Sequence, residues 1–92
     1  MTEEHLTAVV AAAEAKKNNQ GFWATQEGRH ITLYVSANGT SLTVSRVEAL
    51  KLDGHLLRAK TVRGEMFVLA VEDVFAAAVE PEAQGGRRAG FG

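Results

Sequence analysis

The chain contains no cysteine and a single proline. The missing cysteine excludes disulfides, thiolate-held metals and a cysteine nucleophile. The lone proline, Pro81, marks the end of the patterned region, since a pyrrolidine ring continues neither a helix nor a central strand. Long apolar runs are missing too, and no stretch approaches the about twenty residues that a membrane-spanning helix needs. The start, "MTEEHL", is acidic, whereas a secretory leader begins basic and then turns apolar. A cytoplasmic location without membrane attachment is therefore expected. Positive charge is not in excess either. The formal net charge is -1, the wrong sign for a duplex-DNA binder.

What is present fits one small globular domain. The 92 residues are 46% hydrophobic and 23% charged, an ordinary balance for a folded chain. A chain this short buries only about two thirds of its extended surface, so a second subunit would add useful area.

The opening segment reads as a helix over 3–19. Leu6, Val9, Val10, Ala13 and Lys17 recur at helical spacing. Thr2 is placed to cap it, Glu3 and Glu4 complement the positive end of the dipole, and Lys16 and Lys17 the negative end. "NNQG" then stops it. The stripe is built of small side chains, which suits a helix lying close over an open barrel end or a dimer contact.

Beyond Gly21 the period falls to two. Glu27-Gly28, Asn38-Gly39, Asp53-Gly54 and Arg63-Gly64 punctuate runs of strand-forming residues. Asn-Gly and Asp-Gly favour type I′ hairpin turns. The expected strands are "GFWATQ", "RHITLYVSA", "TSLTVSRVEALKL", "HLLRAKTV" and "EMFVLAV". A strand from Thr40 to Leu52 would run about 43 Å, too long for a small flat core. Its apolar positions also change parity, so a bulge near Ser45-Arg46 is expected. "EMFVLAV" is apolar throughout after Glu65 and reads as the most buried strand, covered on both faces and a seat for the helix. "EDVFAAAVE" admits a final helix or a tight turn plus strand over 73–80, and turn plus strand is favoured because the sheet otherwise exposes an apolar edge. The fold expected is α+β and mostly β. One helix precedes a five- or six-strand antiparallel meander (21–80), bent or closed into a small barrel within a domain spanning 1–81. A flexible tail, 82–92, carries "GGRRAGFG", a Gly/Arg composition found in tails that touch RNA loosely.

Chemistry is scarce. His5, His30 and His55 lie on unrelated elements, and adjacent Glu72-Asp73 suits a turn or cap. Serines 36, 41 and 45 alternate with apolar residues, without the nucleophile-elbow pattern. No catalytic, metal or cofactor site is expected. Two kinds of binding surface remain. Trp23 and Tyr34 are aromatic candidates for a protein partner or a second copy of the chain, with Trp23 on the first strand, expected at a sheet edge, as either core plug or partner anchor. Arg46, Arg58, Lys60 and Arg63 could form a basic stripe for single-stranded RNA, or a solvated face paired with Glu48 or Glu65.

The stretch "HITLYVSANGTSLTVSRVEALKLDGHLLRAKTVRGEMFVLAVEDVFAAAVEP" resembles the Sm-like fold of bacterial Hfq and the LSm proteins, and more generally small SH3-type barrels. The likeness lies in a strand ending in Asn-Gly, a long bent second strand, a turn with Asp, two further strands, then a short helical turn and a last strand before proline. It implies a bent five-stranded sheet and, by family habit, RNA binding. The chain departs from the family in three places, the first being a connection from helix to "HITLYV" long enough to hold an extra strand, "GFWATQ". Its second strand holds no glycine, and "LAVEDV" stands where Hfq carries Tyr-Lys-His.

Overall fold

The computed structural model describes residues 1–80; Pro81 and the expected tail over 82–92 lie outside the described residues. The architecture is α+β and mostly β, with one helix followed by a strongly curled antiparallel sheet, a half-barrel. Helix α1 (Glu3–Ala12) precedes β1 (Lys16–Lys17), β2 (Trp23–Ala24), β3 (His30–Ala37), β4 (Thr40–Asp53), β5 (Leu56–Thr61), β6 (Met66–Ala70) and β7 (Val74–Glu80). A single 3-10 turn, Val71–Asp73, joins the last two strands, so the favoured turn-plus-strand reading of this segment holds. Among the described residues no helix is long and apolar enough to cross a membrane.

The helix stops earlier than its periodicity suggests, at Ala12 instead of residue 19. Thr2 caps its start, its hydroxyl accepting the His5 N–H at 3.1 Å. Its end is a Schellman closure. Glu14 N–H donates to Ala11 O and Ala15 N–H to Val10 O, with Glu14 in the left-handed region at φ 55°. Glycine usually fills that position, and its absence hides the stop. Glu14 is held there by Arg29 at 3.2 Å. Lys16 and Lys17, expected to complement the helix dipole, instead leave the helix and pair with Ala24 and Trp23 as an additional strand.

β4 is the spine of the sheet. Its first half pairs with β3 and its second half with β5, and β2 pairs at Leu50 and Ala49. The turn between β3 and β4 has φ 52° at Asn38 and 79° at Gly39, the double positive φ of a type I′ hairpin. The next hairpin differs from expectation. Asp53 still belongs to β4, and the two-residue loop is Gly54-His55, with positive φ only at Gly54, a glycine-first arrangement as in type II′.

Two bulges bend β4. Opposite β3, Ile31 faces Val47 and Leu33 faces Val44, so β4 carries one extra residue at the expected place, with Arg46 at φ 56°. Opposite β5, Val47 faces Thr61 and Ala49 faces Lys60, a second extra residue at Glu48. Each bulge reverses the parity of the strand. Together they let Val44, Val47 and Leu50 all enter one core despite odd spacing.

That core joins Leu6, Val10 and Ala13 of the helix to Ile31, Leu33, Leu57 and Val74 of the curled sheet. α1 thus covers the concave face and lies beside β7, while the Met1 ammonium donates to Val71 O and Val74 O at the turn before β7. β6 is not the buried central strand. Among the described residues it pairs with β5 alone, and Met66 and Val68 are 48% and 50% exposed. Only Phe67 and Leu69 turn toward the core, because the helix seats against the other end of the curl.

Leu50 is fully buried beside the second bulge. Leu50→Ala is expected to cost about 2–5 kcal/mol in urea unfolding; a loss below about 1 kcal/mol would contradict its central place.

Candidate functional site

The sequence grouped four cations into one stripe, and the curl divides them into two pairs. Arg58 and Lys60 alternate with buried Leu57 and Ala59 on β5, so they point to the convex face. Each meets a carboxylate there. Arg58 lies 3.4 Å from Asp53 and Lys60 3.9 Å from Glu48. Lys60 also borders a groove of about 480 Å³ on this face, between the 22–30 segment and the β4–β6 strands, with Phe22, Gln26, His30, Glu48 and Met66 along its walls. Ala49, 6% exposed, also lines it.

Arg46 and Arg63 meet elsewhere. The first bulge sets Arg46, and Arg46 O accepts the Val62 N–H at 3.0 Å, which ties the bend to the turn after β5. Thr61, almost fully buried, shapes that turn by accepting the N–H groups of Arg63 and Glu65 at 3.3 and 3.2 Å. The two arginines therefore line one depression of about 300 Å³ with Thr43, Ser45, Glu65 and Phe67. Neither forms an ion pair with any described residue.

The aromatic candidates also separate. Trp23 lies on β2, flanked by β1 and β4, so it is not on the sheet edge. It packs against the core beside α1, with the Lys17 ammonium 5.4 Å from its ring centre. That combines the plug role with a partly open face. Tyr34 lies on the opposite, outer face of β3, and its ring stands 6.4 Å from that of Phe75, which is 61% exposed. Phe75 is the extra residue of a bulge in β7, where Tyr34 faces Ala76 and Val35 faces Val74.

The sequence reading expected an exposed edge for a partner strand at the first strand, and the structure places the bare edges elsewhere, at β6 and β7. Thr61 N–H donates to Glu65 O and Val71 N–H to His55 O. Paired residues of an antiparallel ladder alternate between bonding across and pointing away. The main-chain groups of Met66, Val68 and Ala70 consequently point away from β5. β7 likewise has one sheet neighbour, β3, among the described residues. The signal for both edges was topological, since a meander that does not close leaves its terminal strands half paired. His5, His30 and His55 do not converge, and among the described residues no three His, Asp or Glu side chains come together. What the arrangement offers is surface: two strand edges, an outer aromatic pair, a convex groove and an arginine corner.

The chain matches no family model, no curated protein and no solved structure.

The Lys60–Glu48 pair is half exposed on both sides, so a double-mutant cycle of Lys60→Gln and Glu48→Gln is expected to show coupling below about 1 kcal/mol. A larger coupling would make it a structural clasp. Trp23→Ala is expected to lower stability by about 1–3 kcal/mol in the same assay, from lost burial; an unchanged midpoint would mark Trp23 as a surface anchor only.

Proposed function

We propose that this chain is a small non-enzymatic binding module, a protein-interaction or regulatory domain that associates with itself through the free edges of its sheet. The observation that carries this reading is the bare edge of β6. Its five residues, Met66 to Ala70, include no charge and no proline, and their outward main-chain groups lack partners among the described residues. Natural sheets defend such edges with lysine, proline or short strands. This one does so at the other end, where β1 is two residues long and both are lysine. β6 carries no such defence; β7 holds a single charge, at its last residue, Glu80, and is marked by the bulge at Phe75 and the neighbouring helix α1.

β6 and β7 are unlike edges of one curled sheet. Pairing β6 of one copy with β7 of the next would continue the ladder, and a contact between unlike surfaces builds rings when the rotation closes. Phe75, Met66 and Val68 would lose exposed apolar area in such a contact. The Sm-like likeness belongs to the same proposal, because helix, bent hairpin, two further strands, 3-10 turn and last strand follow each other in the order it implies.

The test is light scattering coupled to size exclusion after nuclease treatment, on the full chain and on Val68→Lys. The expected result is a multimer free of nucleic acid, reduced to monomer by Val68→Lys with the circular dichroism unchanged. A monomeric parent at about 100 μM, well above the micromolar range of an interface worth about 8 kcal/mol, would sink the reading. Co-eluting nucleic acid that leaves at high salt would favour single-stranded RNA binding instead.

A further inference from the structure

We propose that the trough between helix α1 and the β1, β2 and β4 strands binds an aliphatic carboxylate of the fatty-acid kind, with its chain along the helix and its carboxylate held by Lys17 and Lys51. The inference does not rest on the strand edges, because no residue lining the trough belongs to β6 or β7. It begins with where the sheet puts a lysine. Lys17 pairs with Trp23, and Trp23 pairs with Leu50. Residues directly opposite each other on paired strands share a face. Lys17 and Trp23 therefore stand on the side of fully buried Leu50, which is the concave side that the helix covers. None of the three ion pairs among the described residues includes Lys17. Its ammonium lies over the Trp23 ring instead, 5.4 Å from the ring centre. An inward-pointing charge also guards an edge strand; what sets this one apart is the trough beside it.

That trough is the second observation. α1 lies beside β7 and leaves an opening of about 430 Å³ toward β1, β2 and β4, a volume in the range of small-molecule sites. Glu3, Leu6, Thr7 and Val10 recur at the spacing of one helix face and form one wall. The wall runs about 10 Å at about 1.5 Å per residue, a length that an extended octanoyl or decanoyl chain matches. Leu6 and Val10 are core residues, and Trp23 and Leu52 pack against them, so the lining away from the charges is apolar. The Thr7 hydroxyl proton is already used, donating to Glu3 O at 3.0 Å, so the helix wall offers little to a polar ligand. On the strand side Lys51 joins Lys17. Its Nζ lies 5.7 Å from the Phe22 ring centre and donates to Gln20 O at 3.3 Å, and it too stands outside the described ion pairs. Two ammoniums against one carboxylate, Glu3, give the trough a net positive charge. An apolar trough with a surplus cation complements a ligand with an apolar body and one negative end.

The chain's single tryptophan lines the trough, so its emission reports occupancy directly. The test titrates the full chain with decanoate. Hexanoate and octanoate serve as shorter chains, acetate as the bare anion, and decyltrimethylammonium as the same chain with the opposite charge. Decanoate is expected to shift the Trp23 emission saturably below about 1 mM, with the circular dichroism unchanged. Affinity is expected to rise about three- to fourfold per methylene from hexanoate to decanoate. Lys17→Gln and Lys51→Gln are each expected to weaken binding about fivefold, and Glu3→Gln to strengthen it. Lys16→Gln, at a residue facing the opposite side of β1, is expected to leave it unchanged. No saturable shift in the parent up to about 1 mM would overturn the proposal. Affinity independent of chain length would do the same by reducing the trough to an anion site. Equal binding of decyltrimethylammonium would reduce it to an apolar patch and overturn the assignment to carboxylates. Full affinity in both lysine variants would leave those lysines as guards of the edge strand only, against the proposal. Light scattering of the lysine variants is expected to match the parent, so self-association and the trough fail separately.

Discussion

One strand has to serve two halves of a sheet, and the rest of the molecule follows from how it does so. β4 is fourteen residues long, and a straight ribbon of that length would run about 45 Å, beyond any core this chain can build. Its two bulges turn the strand between β3 and β5 and reverse its parity twice. Val44, Val47 and Leu50 can then face one interior. Without the bulges, alternate stretches of the strand would present polar side chains to the core. The curl they impose makes a half-barrel, whose concave face the helix covers.

That solution leaves the sheet open. A closed barrel has no edges, but among the described residues this sheet has three terminal strands, the two-residue β1 and the longer β6 and β7. The apolar run of β6 is therefore spent half on the core, through Phe67 and Leu69, and half on the surface, through Met66 and Val68. A small domain gains little by displaying such side chains to water, and each is worth about 1–2 kcal/mol when covered. The same bulge that curls the sheet also puts Arg46 beside Arg63. Fold and candidate sites thus share a single cause.

Much of this was legible in the residues. Asn38-Gly39 announced its hairpin, the parity change around Ser45-Arg46 announced the first bulge, and the last segment was read as turn and strand. The misses have physical reasons. Helix α1 is closed by Glu14, not glycine, so its Schellman closure leaves no mark in the letters, and the lysines beyond it read equally well as a last helical turn. The second bulge at Glu48 hides because Ala49 is small and apolar on either face. β6 misled because continuous apolar letters describe a strand buried on both faces and an unpartnered edge alike. Arg58 and Lys60 were rightly seen to share a face, but no periodicity could show that Arg46 and Arg63 meet across the bend, since that meeting depends on a bond from Val62 to Arg46.

The most direct measurement is amide hydrogen exchange by nuclear magnetic resonance, taken at several protein concentrations. It reads each main-chain group of β6 separately. If the edge is bare and serves association, Phe67 and Leu69 are protected throughout, while Met66, Val68 and Ala70 exchange quickly in dilute solution and become protected as concentration rises. Protection of all five amides at the lowest concentration, or fast exchange of Met66, Val68 and Ala70 that no concentration slows, would contradict the account.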